Sequence, residues 1–209
     1  MHETFPVHVE VDLPTAPRFE RVQLLLRVVL AIVLGWLGIT AGWLALVLFG
    51  ALPVIAAISI STHGPERYLT EVGPRLWRVL AWLMRYSAYM MLLVDRFPAT
   101  AEDDQVHLDV EIGGHPTVGS ALLRMLTSIP SGLVLGALWL VSGLVWLGLA
   151  FLVLVGAHLP RSLLAFQRTV LRWQTRLVAY HASLIDRYPP FALSSDDHHH
   201  HGPALADRR

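Results

Sequence analysis

Residues 28–62 read VVLAIVLGWLGITAGWLALVLFGALPVIAAISIST, with no charged side chain anywhere in the run. As one helix this stretch would be roughly 50 Å long at 1.5 Å per residue, against a bilayer hydrocarbon core of about 30 Å. One span is too few, and two spans joined by a tight turn fit. Glycine and threonine collect at Gly38-Ile39-Thr40-Ala41-Gly42. The turn is predicted there, with Trp36 and Trp43 flanking it as interface-seeking aromatics. Residues 125–159 form a second uncharged run of the same kind. Its turn is predicted near Val141-Ser142-Gly143, between Trp139 and Trp146.

Bulk composition agrees. Of 209 residues, 54% are hydrophobic and 15% charged, against about 25% charged in an ordinary soluble domain. Mean hydropathy is +0.51. The formal net charge is zero, so no global field draws in nucleic acid. All the basic residues are arginine, and there is no cysteine. Disulfides, thiol catalysis and thiolate metal sites are therefore excluded. The chain opens on an acidic, proline-containing leader (Glu3, Pro6, Glu10, Asp12, Pro14, Pro17) rather than a basic region feeding a cleavage site, so a retained N-terminus is expected.

The predicted turns carry no charge, whereas the arginines cluster outside the apolar runs. The positive-inside rule puts the arginine-rich side, and both termini, in the cytoplasm.

The chain also repeats itself. Before the first run, Val7-His8-Val9-Glu10-Val11-Asp12-Leu13 alternates apolar and polar residues, and Val106-His107-Leu108-Asp109-Val110-Glu111-Ile112 matches it position for position. Period two predicts a strand with one buried and one wet face. After each run, Trp82, Arg85, Ala88, Tyr89, Leu93, Asp95, Arg96 and Pro98 correspond to Trp173, Arg176, Ala179, Tyr180, Leu184, Asp186, Arg187 and Pro189. The post-run helix of the second copy carries Arg168, Arg172 and Arg176, too many charges to cross a bilayer when each central arginine costs roughly 2.5–3.5 kcal/mol. It is predicted to lie at the interface.

The order of hairpin, arginine-rich helix and closing Asp186-Arg187-Tyr188-Pro189-Pro190-Phe191 resembles a bacterial membrane family catalogued as domain of unknown function 4389. The resemblance covers about Val7 to Leu193 as two tandem copies. The first copy departs from the closing motif, with Phe97 for tyrosine and Ala99 for the second proline. The resemblance implies a bacterial membrane architecture, and the family name implies no activity.

The expected fold is thus a membrane all-α protein with a small β element. It has four transmembrane helices as two tandem hairpins, each preceded by a short strand and followed by an amphipathic interfacial helix. Residues 1–100 form the first repeat, 101–193 the second, and 194–209 a polar tail expected to be disordered, with Asp196-Asp197 and His198 to His201 in it.

Candidate sites follow from spacing. Trp82, Arg85, Tyr89 and Leu93, repeated as Trp173, Arg176, Tyr180 and Leu184, share one helical face. With Arg168 and Arg172 they are candidates for a lipid-headgroup contact, although an ordinary interface anchor would use the same residue types. Asp95-Arg96-Pro98 and Asp186-Arg187 end their helices before proline, and a paired-ion lock between the copies is the sharper reading. Ser128, Gly132 and Gly136, with Gly38 and Gly42, are candidate small-residue packing ridges. His8, Glu10 and Asp12 with His107, Asp109 and Glu111 could meet as a metal cluster or simply face water; water is the expected outcome. No cofactor and no catalytic constellation is expected. The function expected is a non-enzymatic accessory or scaffold protein whose cytoplasmic face engages anionic lipid or a membrane-protein partner, with homo-oligomerisation open. The alternative is an oligomeric transporter or channel for a small solute or lipid, against which the spans lack any ionisable residue of the kind that marks such routes.

Overall fold

The two alternating segments pair with each other. A computed structural model describes residues 5–11, 19–36, 41–98 and 106–189, without the side chains of 41–47. Strand β1 (Val7–Val11) runs antiparallel to β2 (Val106–Val110), with Val9 opposite Leu108 at the centre. Val7, Val9, Val11, Val106 and Leu108 are buried. On the other face His8 lies opposite Asp109 and Glu10 opposite His107, all exposed. Each polar residue therefore faces the counterpart of its neighbour, a register that maps onto itself when the strands are exchanged.

Helices follow each strand. They are α1 (Arg21–Trp36), α2 (Ala41–His63), a single turn α3 (Pro65–Arg67), a π-helical segment (Tyr68–Val72), α4 (Gly73–Met90), α5 (Val118–Thr127), α6 (Ile129–Val155) and α7 (Arg161–His181). In the first uncharged run α1 is described to Trp36 and α2 from Ala41, so Ala41 and Gly42 of the expected turn are helical. Residues 37–40, at the expected turn itself, lie outside the described residues.

The second run departs from expectation. No turn occurs at Val141-Ser142-Gly143, because α6 is continuous through it. Its 27 residues span about 40 Å. One glycine costs a helix only about 1 kcal/mol, and Ser142 is held by hydrogen bonds to Gln167 on α7. The break falls earlier instead, at Ser128 between α5 and α6. Among the described residues α6 is the one helix long and apolar enough to cross a membrane.

A second correction concerns α7. Ser131 meets Tyr188 and Ser142 meets Gln167, so α7 runs back along α6. It also packs on α2, α4, α5 and β1. From Val170 to Thr175 every residue is buried, including Arg172 at 6% exposure. The helix expected to lie on the membrane surface is the centre of the protein. Regular arginine spacing suits a basic ridge on anionic lipid, but arginine can be enclosed where acceptors or rings meet it, as Phe5 meets Arg176 at 4.8 Å.

Polar groups tie the halves together. The Tyr68 hydroxyl, at the π-helical segment, donates to the Ala182 carbonyl. Burial pushes this hydroxyl up to about 12, partly offset by Arg124, so it stays a donor at neutral pH.

Candidate functional site

Two buried arginines organise the polar layer. Each is the last charged residue before an uncharged run, Arg27 before Val28 and Arg124 before Met125. Arg27 is fully buried. Its Nε donates to the Tyr89 carbonyl at 2.8 Å and its Nη2 to the Val94 carbonyl at 2.6 Å. The guanidinium lies over the Tyr89 ring at 4.1 Å, and the Asp95 carboxylate stands 3.8 Å away. Arg124, 4% exposed, donates to the Tyr180 carbonyl at 2.8 Å and the Ile185 carbonyl at 2.5 Å. It lies 4.5 Å from the Tyr180 ring centroid and pairs with Asp186 at 2.6 Å.

The same local geometry serves both. After α4, Leu92 turns left-handed at φ 60°, and after α7, Ser183 does so at φ 53°. Such turns cost a non-glycine residue about 1 kcal/mol or more. They close the helix ends through matched bonds, Leu93 N–H to Ala88 O and Leu184 N–H to Ala179 O, each 3.1 Å. The turn then presents two carbonyls to the guanidinium, which holds the strained backbone in place.

The two clasps are unequal. In the first, the Asp95 carboxyl is raised above its ordinary range by burial, only partly countered by the Glu20 N–H and Arg27. In the second, Asp186 also accepts the His115 N–H at 2.7 Å. A Cβ on Gly114 would sit 2.2 Å from Asp186 Oδ2, and its φ is +107°. Glycine at 114 is therefore what lets the carboxylate reach His115 and Arg124 together. Local capping fixes α5 beneath them: Thr117 Oγ1 accepts from Ser120 N at 3.1 Å, and Ser120 Oγ accepts from Thr117 N at 2.9 Å.

The expected site residues fall into this frame unevenly. Tyr89 and Tyr180 are buried beneath the clasping arginines. Arg85 donates from Nε to the Val106 carbonyl of β2 at 3.2 Å, and the half-exposed Trp82 donates to the Pro98 carbonyl at 3.1 Å. Trp173 and Arg172 are buried, Arg168 and Arg176 partly so. These side chains do not form the exposed headgroup stripe that spacing predicts, since most of their polar atoms face inward. Outward on α4 lie Arg75, Arg78, Val79 and Trp82 instead.

Asp95 and Asp186 do form ion pairs, but each with the arginine of its own half rather than as a lock between copies. Arg96 is exposed, and Arg187 lies 5.7 Å from the Phe5 ring. Tyr188 meets Ser131 at 2.5 Å, and Pro189 is buried. Pro190, Phe191, Gly38, Asp12 and the histidine-rich tail lie outside the described residues, and Gly42 lies in α2 where surroundings are not described. Ser128 is buried and Gly132 approaches Phe49 of α2, where an added Cβ would come within 3.2 Å. Gly136 instead faces open space. Among the described residues no group of three or more histidine and acidic side chains converges as a metal site.

Arg27 and Arg124 were legible only as positive charges. The available signal was positional, since both stand immediately before an uncharged run.

A cavity of about 500 Å³ lies between α2, α6 and α7. Its wall is apolar apart from Gln174 and His181 at one side. His181 is 2% exposed and neither ring nitrogen has a hydrogen-bond partner. Burial, reinforced by the charge of Arg124, pushes its imidazole down to about 4. In the unfolded chain the ring protonates near 6.5. Stability is therefore full above that value and falls as pH drops towards 4, by about 1.4 kcal/mol per unit. Melting temperatures of the detergent-solubilised protein at pH 7 and pH 5 should differ more for the native chain than for His181→Phe.

Residues 119–192 match the family model described as Domain of unknown function (DUF4389). The matched segment runs from α5 through α7 and contains Arg124, its two carbonyl acceptors and Asp186, but not Gly114 or His115. Neither a curated protein nor a solved structure matches the chain.

Proposed function

We propose that the protein is a multi-pass membrane protein built from two copies of one unit, acting as a non-enzymatic accessory or scaffold at the inner membrane. Its arginine-bearing cytoplasmic face engages anionic lipid. The observation that carries this reading is the surface. Large apolar side chains are exposed in rows along α1 (Val22, Val29, Ile32), α2 (Val54, Ile58) and α6 (Leu133, Leu140, Leu144, Leu147). An apolar exposure of this extent marks a partner or a membrane, and α6 has the length to cross one. The duplication is supported by the self-matching register of β1 and β2 and by the two clasps, whose carbonyl acceptors and carboxylates stand at equivalent places. A scaffold role is supported by how the buried arginines are used: they bind the chain's own carbonyls and carboxylates.

Arg75 and Arg78 on the outer face of α4, beside Val79 and the candidate residue Trp82, suit a headgroup contact better than the enclosed Tyr89, Arg172, Trp173 and Tyr180. Each surface arginine contributes about 1 kcal/mol towards an anionic bilayer. The double variant Arg75→Ala, Arg78→Ala should therefore retain phosphatidylglycerol roughly 30-fold less well, as read by native mass spectrometry of protein released from mixed-lipid nanodiscs. Phosphatidylcholine retention should not change. Equal retention of both lipids by the native chain would remove the proposal.

A further inference from the structure

The cavity between α2, α6 and α7 combines an apolar wall with two unsatisfied polar side chains. Leu52, Leu135, Trp139, Leu177 and Val178 line it without any charged residue. His181 has no partner at either nitrogen, and Gln174, 9% exposed, has none at Oε1. Leaving such groups unpaired in a protein interior costs about 1–3 kcal/mol each, and native structures rarely tolerate it without a reason. A volume of about 500 Å³ falls within the range of small-molecule sites, roughly 300–1,000 Å³. The rim includes Ile129 and Leu133, which are exposed on the same apolar surface as the rest of α6. Entry is therefore sideways, from the lipid phase.

The polar atoms define what fits. A neutral imidazole offers one donor and one acceptor, and the glutamine oxygen a second acceptor. The complement is a head with two hydroxyl donors and one carbonyl acceptor. The lining carries no cation to hold an anionic head, since the guanidinium of Arg124 is bound to Tyr180, Ile185 and Asp186. We propose that this cavity is a binding site for a neutral single-chain amphiphile of the monoacylglycerol class, its aliphatic chain against the apolar wall and its glycerol ester on His181 and Gln174. This goes beyond the anionic contact on α4 and does not depend on it.

Trp139 lines the cavity and supplies the readout. The delipidated full chain in detergent is titrated with 1-(9,10-dibromostearoyl)glycerol, and tryptophan fluorescence is followed. The expected result is saturable quenching that disappears in Trp139→Phe. A Cβ on Gly136 meets nothing within 4 Å, so Gly136→Leu should fill the cavity, keep or raise the melting temperature, and weaken binding at least tenfold. His181→Phe should also melt no lower than the native chain and bind about tenfold more weakly. Dibromostearate and a dibrominated phosphatidylcholine serve as anionic and two-chain competitors. Tighter binding of either, non-saturable quenching, or undiminished affinity in folded Gly136→Leu or His181→Phe protein would overturn the assignment.

Discussion

Arg124→Met should destabilise the protein by about 1–3 kcal/mol, the cost of leaving a buried carbonyl without its donor, because the Asp186 carboxylate left behind is 45% exposed. The substitution keeps an unbranched side chain in the space and removes every donor. Three acceptors lose the guanidinium at once: the Ile185 carbonyl, the Tyr180 carbonyl, which keeps the Ser183 N–H, and the Asp186 carboxylate, which keeps the His115 N–H. The left-handed turn at Ser183 also loses what holds it. The matching change at Arg27 should cost less. Its carboxylate stands 3.8 Å away, against 2.6 Å in the second clasp. Thermal unfolding in detergent, with the two single variants side by side, checks both the magnitude and the order. If Arg27→Met is the more damaging, the carboxylate does not set the strength of the clasp.

The second large effect lies on α6. Leu140 and Leu144 are 76% and 70% exposed on one face of that helix. In water, charged residues there would change stability by within about 0.5 kcal/mol. In a bilayer each central arginine costs roughly 2.5–3.5 kcal/mol, so Leu140→Arg with Leu144→Arg should cost roughly 5–7 kcal/mol of insertion free energy. The double variant should fail to reach the membrane fraction that resists alkaline carbonate. Membrane yield equal to that of the native chain would show that this face of α6 does not meet lipid.

Parts of this architecture were readable from sequence because they rest on short-range rules. The alternation of Val7, Val9 and Val11 with His8 and Glu10 predicts a strand, since period two admits little else. The second apolar run misleads because Ser142 and Gly143 resemble a turn signal. Their tertiary setting, Ser142 on Gln167, decides for helix. The role of α7 was hidden for a related reason. Burial of Arg172 depends on elements far away in the chain, and arginine spacing alone reads as a wet face. The clasps were half-visible: Asp95 and Asp186 stood out as a repeated phrase, but their partners lie 62 or more residues earlier, beyond the reach of any local pattern.

On the proposed reading α6 lies within a bilayer while the α3 turn lies outside it, on the cytoplasmic side. The chain contains no cysteine, so a single introduced thiol reports its own surroundings without background. Leu144→Cys and Glu66→Cys are exposed to membrane-impermeant maleimide in intact inside-out membrane vesicles, which present the cytoplasmic face, and again after solubilisation in denaturing detergent. Residue 66 should label rapidly in both conditions, and residue 144 only after solubilisation. Labelling at 144 as fast as at 66 in the intact vesicles would contradict that placement.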